Sequence, residues 1–306
     1  MPGLEKNGVA LSSHVNNLRG GSQPILARAS DGLLYVVKFA DNPQGPNLLF
    51  NESVGSELFR ACGLAAPQWK PLLLTDAFLD RNPACWMQTA EGPRRPQAGW
   101  CFGSRFLGGG GERLLEILPG SSFKRVTNQA SFWLAWLIDI CAGHADNRQA
   151  IFRQAPSGEL DAFFVDFGHL FGGPKGELRL PIQASRYLDA RIYASVSSQY
   201  LLNLHRIVRC LDAERLGKKL QTLPEQWKTV TALQGFARCM DRLASPLLLE
   251  DILDTMLHSI QQGERREQIR RQDGRELSLP VLRIGVQAAG LGKGCVGQRA
   301  GHLACA

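Results

Sequence analysis

The sequence is short of the features that would place it in several large classes. No apolar run approaches the roughly eighteen residues that a membrane-spanning helix needs, and the opening MPGLEKNGVALSS has no signal-peptide core. No membrane partner is expected, and the expected compartment is the cytoplasm. The eight cysteines (Cys62, Cys85, Cys101, Cys141, Cys210, Cys239, Cys295 and Cys305) include no C-x-x-C pair, and the six histidines show no ligand spacing. That pattern argues for reduced, mostly buried thiols and against a disulfide scaffold or a zinc site. Residues 263–306 contain no Phe, Tyr or Trp to stack on bases. Eight basic residues oppose four acidic ones there, so more than half of the net charge of +7 sits in this tail and the body is only mildly basic. Nucleic acid is therefore not an expected partner.

What is present is a chain of 306 residues, 44% apolar and 21% charged, long enough for one large domain or two lobes around a cleft. Its most informative stretch is 132–168. FWLAWLIDIC is apolar nearly all round and predicts a buried helix stopping at Gly143. The polar cluster His144, Asp146, Asn147, Arg148 and Gln149 follows. Ile151–Phe152 and Phe163–Val165 predict two short buried strands, the second ending at Asp166. Asp146 and Asp166 thus end apolar elements with little local charge around them. They are either a polar helix end plus a turn residue, or a base and a metal ligand.

The first hundred residues add a second pattern. Residues 14–39 predict three short strands, with Gly20-Gly21-Ser22 in the first connection and the hairpin signal Asp31-Gly32 in the second. No G-K-[ST] follows the glycine pair, so it is not a Walker loop: it is a plain turn or a place where backbone amides approach an anion. Lys38, in LLYVVKF, must reach the strand edge or find an anionic partner. Apolar residues at helical spacing (Leu49, Val54, Leu58) then predict a helix that ends at Gly63 and offers Glu52, or failing it Glu57. Pro71–Phe78 predicts a strand, Asp80–Gly99 a turn-rich insertion, and Trp100–Leu107 a further strand before the flexible break Gly108–Gly111. Residues 172–195 predict a connecting region with a possible hairpin. Helices are predicted over 197–211, 212–221, 231–243 and 246–262, and a poorly ordered basic tail beyond 263.

"HADNRQ … VDFGH" resembles the catalytic and metal-binding loops of the protein-kinase-like superfamily, in particular the HipA-like kinases. "NES…CGLAAP" at Asn51, Glu52, Gly63, Leu64 and Pro67, and Leu223-Pro224-Glu225-Gln226-Trp227, are similar to further segments of that branch. The resemblance implies an α+β bilobal fold: a small antiparallel-sheet N-lobe over 1–107 carrying the Glu-bearing helix, and a mainly helical C-lobe over 108–262. It also implies roles. Gly20, Gly21 and Ser22 cover the phosphates of ATP, and Lys38, held by Glu52, grips them. Backbone groups near Ser104 and Phe106 meet the base. Asp146 orients or deprotonates an acceptor hydroxyl, and Asp166 holds Mg. These kinases usually place an Asn five residues after the catalytic Asp. Here that position is Ile151, and Gln149 or Asn147 is the candidate replacement. Two functions follow: an ATP- and Mg-dependent kinase acting on a protein Ser/Thr or a small-molecule hydroxyl, or a catalytically impaired nucleotide-binding or interaction module.

Overall fold

Short β-rich segments of the first third pair into one sheet. The computed structural model describes residues 8–176, 185–194 and 213–272, with isolated positions between 200 and 211. Strands β1 (Leu11–Asn17), β2 (Ile25–Ala29), β3 (Leu34–Lys38), β4 (Trp69–Leu74) and, after the small β5–β6 hairpin (Met87–Thr89, Gly92–Arg94), β7 (Gly99–Arg105) form an antiparallel sheet ordered β1-β2-β3-β7-β4. The β2–β3 turn is set by its two central residues. Gly32 takes φ +78°, and Asp31 accepts from the Leu33 N–H at 3.1 Å and the Tyr35 hydroxyl at 2.7 Å.

Between β3 and β4 lies α1 (Leu48–Ala61). The strand expected over Pro71–Phe78 is shorter: β4 ends at Leu74, and Thr75 Oγ1 accepts from the Phe78 N–H to cap a short helix, α2 (Asp76–Arg81). Phe78 and Leu79 enter the core from this helix rather than from a strand.

Past the glycine run, β8 (Arg113–Leu115) joins β9 (Gln149–Gln154) and β10 (Leu160–Val165) in a three-stranded antiparallel sheet ordered β10-β9-β8. Before β9 stands α3 (Ser131–Ala142), buried along nearly its whole length and ended by Gly143 at φ +64°. Then come α4 (Ala213–Gln221), α5 (Val230–Ala244) and α6 (Pro246–Gln272), the last running straight through Gly263, where a break was expected. The expected hairpin within 172–195, most of the helix over 197–211, and residues 273–306 lie outside the described residues. The compact unit that holds the site ends at Glu264, and its fold is α+β and bilobal.

The apolar residues divide into two clusters in an instructive way. The first sheet, α2 and the residues leading into β5 bury Tyr35, Val37, Phe39, Leu72, Phe78 and Met87 among themselves. Chain order puts α1 with that sheet, but its apolar residues (Leu48, Leu49, Phe50, Val54, Leu58, Phe59) belong to the larger cluster around α3, β9 and β10. Phe59 lies edge-on to Phe164 and Phe167, at 5.7 and 4.8 Å between ring centres. Each such fully buried side chain contributes about 1.5–3 kcal/mol, so α1 is anchored mainly to the second core.

Candidate active site

Lys38 is the last residue of β3, where the sheet meets α1. Its side chain is buried, and its ammonium lies 2.5 Å from Glu52 Oε1 and 2.9 Å from Asp166 Oδ1. Glu52, on α1, is the partner preferred in the sequence, and it is 2% exposed. It accepts also from the Phe167 N–H. Burial would strip Lys38 of its proton, but the charges of Asp166 and Glu52 outweigh it and raise its pKa. Burial likewise opposes ionisation of Asp166, yet the Lys38 ammonium holds that carboxyl well below the usual range. For Glu52 burial wins, and its pKa is raised. One cation thus faces two carboxyls, an arrangement with unspent capacity for positive charge.

Asp166 is held by backbone as well as by charge. It sits at φ +61°, a left-handed conformation that costs a non-glycine residue of order 1 kcal/mol or more and persists only where its surroundings impose it. Arg148 imposes it. This guanidinium is 2% exposed, donates Nη1 to the carbonyls of Val165 (2.8 Å) and Asp166 (3.2 Å), and lies over the rings of Phe59 and Phe167 at 4.9 and 5.0 Å. Its other face forms a fork with Asp139 of α3: Nε to Oδ2 at 2.8 Å and Nη2 to Oδ1 at 2.6 Å. Burial pushes the Asp139 carboxyl up to about 6 against the pull of Arg148. His144, beside this pair, is buried, and burial together with Arg148 holds it neutral, its pKa well below the ordinary value. Arg148 reaches His144 Nε2 at 3.4 Å, which makes Nε2 the acceptor and leaves the proton on Nδ1.

Next in the chain, α1 and the 166–170 turn are locked face to face. Asn51 Nδ2 donates to the carbonyls of Gly168 and Leu170 at 2.9 and 2.8 Å. A methyl group on Gly168 would lie 2.4 Å from Leu48 Cδ1 and 3.0 Å from Glu52 Oε1, so only glycine lets the turn approach Glu52 this closely.

The structure therefore brings together Lys38, Glu52, Asp166 and Gln149, whose amide Nε2 donates to Asp166 Oδ2 at 2.9 Å. Gln149 opens β9 opposite Val165, and Ile151 lies two residues further up the same strand face. Among the described residues Asp146 accepts from the Asn147 N–H alone, at 2.7 Å, and neither is bonded to the Lys38 cluster. The Gly20–Ser22 turn connects β1 and β2 and is closed by Gln23 N–H to Gly20 O at 3.0 Å. It is clamped to the β5–β6 hairpin through Gln23 and Gln88. Ser22 is buried, its carbonyl taken by Asn42. Ser104 pairs with Val36 on one side and Trp69 on the other, and the Phe106 N–H is bonded to Leu34 O. That donor is engaged with β3 and is not available to a ligand. Arg148 and Asp139, the residues on which the geometry turns, were not singled out from sequence. The available signal was an Asp inside an otherwise apolar helix, which has to be paired.

No group of three or more His, Cys, Asp or Glu side chains able to hold a metal occurs among the described residues. A cation here would rest on Asp166 with amide, water and phosphate oxygens, the donor set that magnesium accepts in nucleotide sites. No helix is long and apolar enough to cross a membrane.

No family model matches the chain, and neither does any curated protein. Among solved structures, it is similar to the Helicobacter pylori proinflammatory kinase CtkA, at 12% identity and TM-score 0.49, covering 82% of this chain and 96% of that one. It is also similar to the Golgi casein kinase, at 14% identity and TM-score 0.48, covering 81% of this chain and 74% of that one. The same kinase with Mn/ADP bound gives 12% and 0.43. The chain's own order is an antiparallel sheet with a lysine on its third strand, a glutamate helix paired to it, a glycine break, then a buried helix and a strand ending in Asp166.

Proposed function

We propose that the chain is an ATP- and magnesium-dependent phosphotransferase of the HipA-like kind, acting on a hydroxyl of a protein Ser/Thr or of a small molecule. The observation that carries this reading is the buried Lys38 ammonium bonded at once to Glu52 and Asp166, where the sheet meets the second core. A lysine so held is a fixed positive charge for phosphate oxygens, and phosphoryl transfer needs positioning and charge neutralisation more than covalent chemistry.

Bound magnesium would bridge and neutralise phosphate oxygens. Asp166 would hold it, and Gln149, already against Asp166, would offer its amide carbonyl in the place of the asparagine that Ile151 does not supply. Gly20, Gly21 and Ser22 lie in the turn suited to covering the phosphates. Asp146, half-exposed and not bonded to Lys38, is free to orient an acceptor hydroxyl. The second reading is a nucleotide-binding module without transfer, favoured by Ile151, because an apolar side chain stands where the usual asparagine ligand would be and Gln149 would have to supply its amide from two residues earlier.

Calorimetric titration of ATP with and without magnesium, beside a γ-phosphate transfer assay, tests both. Asp166→Ala is expected to abolish magnesium-dependent binding, Asp146→Ala to spare binding but remove transfer, and Gln149→Ala to give a loss that added magnesium partly restores. ATP binding unchanged by Asp166→Ala overturns the metal assignment. Tight binding with no turnover in the wild type selects the module.

A further inference from the structure

A concavity whose lining includes none of Lys38, Glu52 and Asp166 lies between the C-terminal half of α1, the start of β3, the start of β4, the end of β7 and α4. Arg60, Lys70, Arg105 and Lys219 line it against a single lining acid, Glu57. Asp31 adds one more carboxylate by pairing with Lys70 at 3.0 Å, which leaves two positive charges in excess. Arg105 and Lys219 are exposed and have no acidic partner among the described residues. The Lys219 ammonium lies 5.5 Å from the centre of the Trp69 ring, and that of Lys70 5.7 Å from the Tyr35 ring. An independent feature points the same way. Trp69 also lines this concavity, and its indole Nε1–H is buried with no acceptor among the described residues. A buried donor without an acceptor is costly and uncommon.

We propose that this pocket binds a phosphate monoester. Such a group carries about −1.5 to −2 charges at neutral pH, which matches the excess, and it accepts forked bonds from arginine. The chain's own tail has the wrong sign, with eight basic and four acidic residues from 263 onward, so the occupant is another molecule. The proposal does not rest on the nucleotide reading. Binding here needs neither ATP nor magnesium, although an occupied pocket braces the helix that carries Glu52.

Calorimetry on the full chain without nucleotide provides the test. A phosphothreonine peptide is titrated beside its unphosphorylated twin, a glutamate-substituted twin and inorganic phosphate. The phosphopeptide should bind, and Arg105→Ala and Lys219→Ala should each weaken it about tenfold, the weight of one charge-assisted hydrogen bond. Trp69→Phe, which keeps the ring and removes the donor, should weaken it by less, and Lys218→Ala, next in sequence but paired with Glu214, should leave it unchanged. Inorganic phosphate binding as tightly as the peptide, with the same sensitivity to these variants, assigns free phosphate as the source. Equal binding of the unphosphorylated or glutamate twin overturns the proposal, as does phosphate binding indifferent to both Arg105→Ala and Lys219→Ala.

Discussion

Arg148→Met is the substitution whose consequences can be worked out most fully from the geometry. It deletes the fork to Asp139, which is fully buried, and the two bonds that hold the Val165 and Asp166 carbonyls. Leaving a buried carboxylate without its cation costs about 3–5 kcal/mol. Protonation limits that loss. The Asp139 carboxyl, already pushed up to about 6, rises further without Arg148 and takes up a proton near neutrality. A carboxyl whose folded pKa lies above its unfolded value contributes stability below the unfolded pKa and loses it as pH rises through the folded one. The deficit of Arg148→Met relative to wild type at the same pH should therefore be largest near pH 8 and shrink by pH 5. Adding Asp139→Leu removes the stranded charge and should recover most of the loss, leaving about 1–3 kcal/mol for the orphaned carbonyls. Urea denaturation at pH 5, 6.5 and 8 measures all three quantities. A deficit below about 1 kcal/mol at every pH, or a double variant no more stable than the single one, would refute the keystone role of Arg148.

Three further outcomes are expected. Lys38→Met strands Glu52 and Asp166 together and should cost about 3–5 kcal/mol at pH 7, less toward pH 4 as the carboxyls protonate, measured by denaturant titration. Because His144 is held neutral in the fold while the unfolded chain takes up the proton, His144 withdraws stability as pH drops below about 6.5, by up to about 1.4 kcal/mol per pH unit, opposed below about pH 6 by the raised Asp139 carboxyl. His144→Gln should remove that withdrawal, so that its stability relative to wild type rises toward pH 5 in thermal melts across pH 5–7. Gly168→Ala, which sets a methyl group 2.4 Å from Leu48 Cδ1, should cost about 1–3 kcal/mol and weaken ATP binding more than Gly217→Ala, where open space surrounds the added carbon and the backbone is helical.

The sequence made the linear parts of this site legible. A lysine in an apolar strand and a glutamate on the next helix are local facts with one physical resolution, and the two now lie 2.5 Å apart. Residues that act across the fold were harder to read. Asp139 and Arg148 were visible separately, one in a buried helix and one in a polar loop, but their pairing depends on Gly143 turning the chain back over α3. The allegiance of α1 was hidden for a related reason. Its apolar residues surround the helix, which signals burial but not against which core. The misplaced end of β4 is a capping failure: Thr75 stops the strand and starts α2, a signal that the apolar run Leu72–Leu74 masked.

The split between the two cores gives the molecule a mechanical seam. Glu52, Asp166 and Arg148 are fastened to one body by Asn51, the edge-on Phe59 contacts and the Asp139 fork, whereas Lys38 rides on the sheet, whose apolar residues, Phe102, Trp69 and Trp100 apart, pack in the other cluster. If the sheet pivots, the lysine leaves and the two carboxyls stay behind facing each other. Opening thus works against a rising electrostatic load, strongest where the parts just separate and weaker beyond, like a latch with a magnetic catch. A cation brought in by a ligand would relieve that load from the other side. The same pivot would then become easier in the loaded molecule than in the empty one, so occupancy rather than chain flexibility would set how readily the two bodies part.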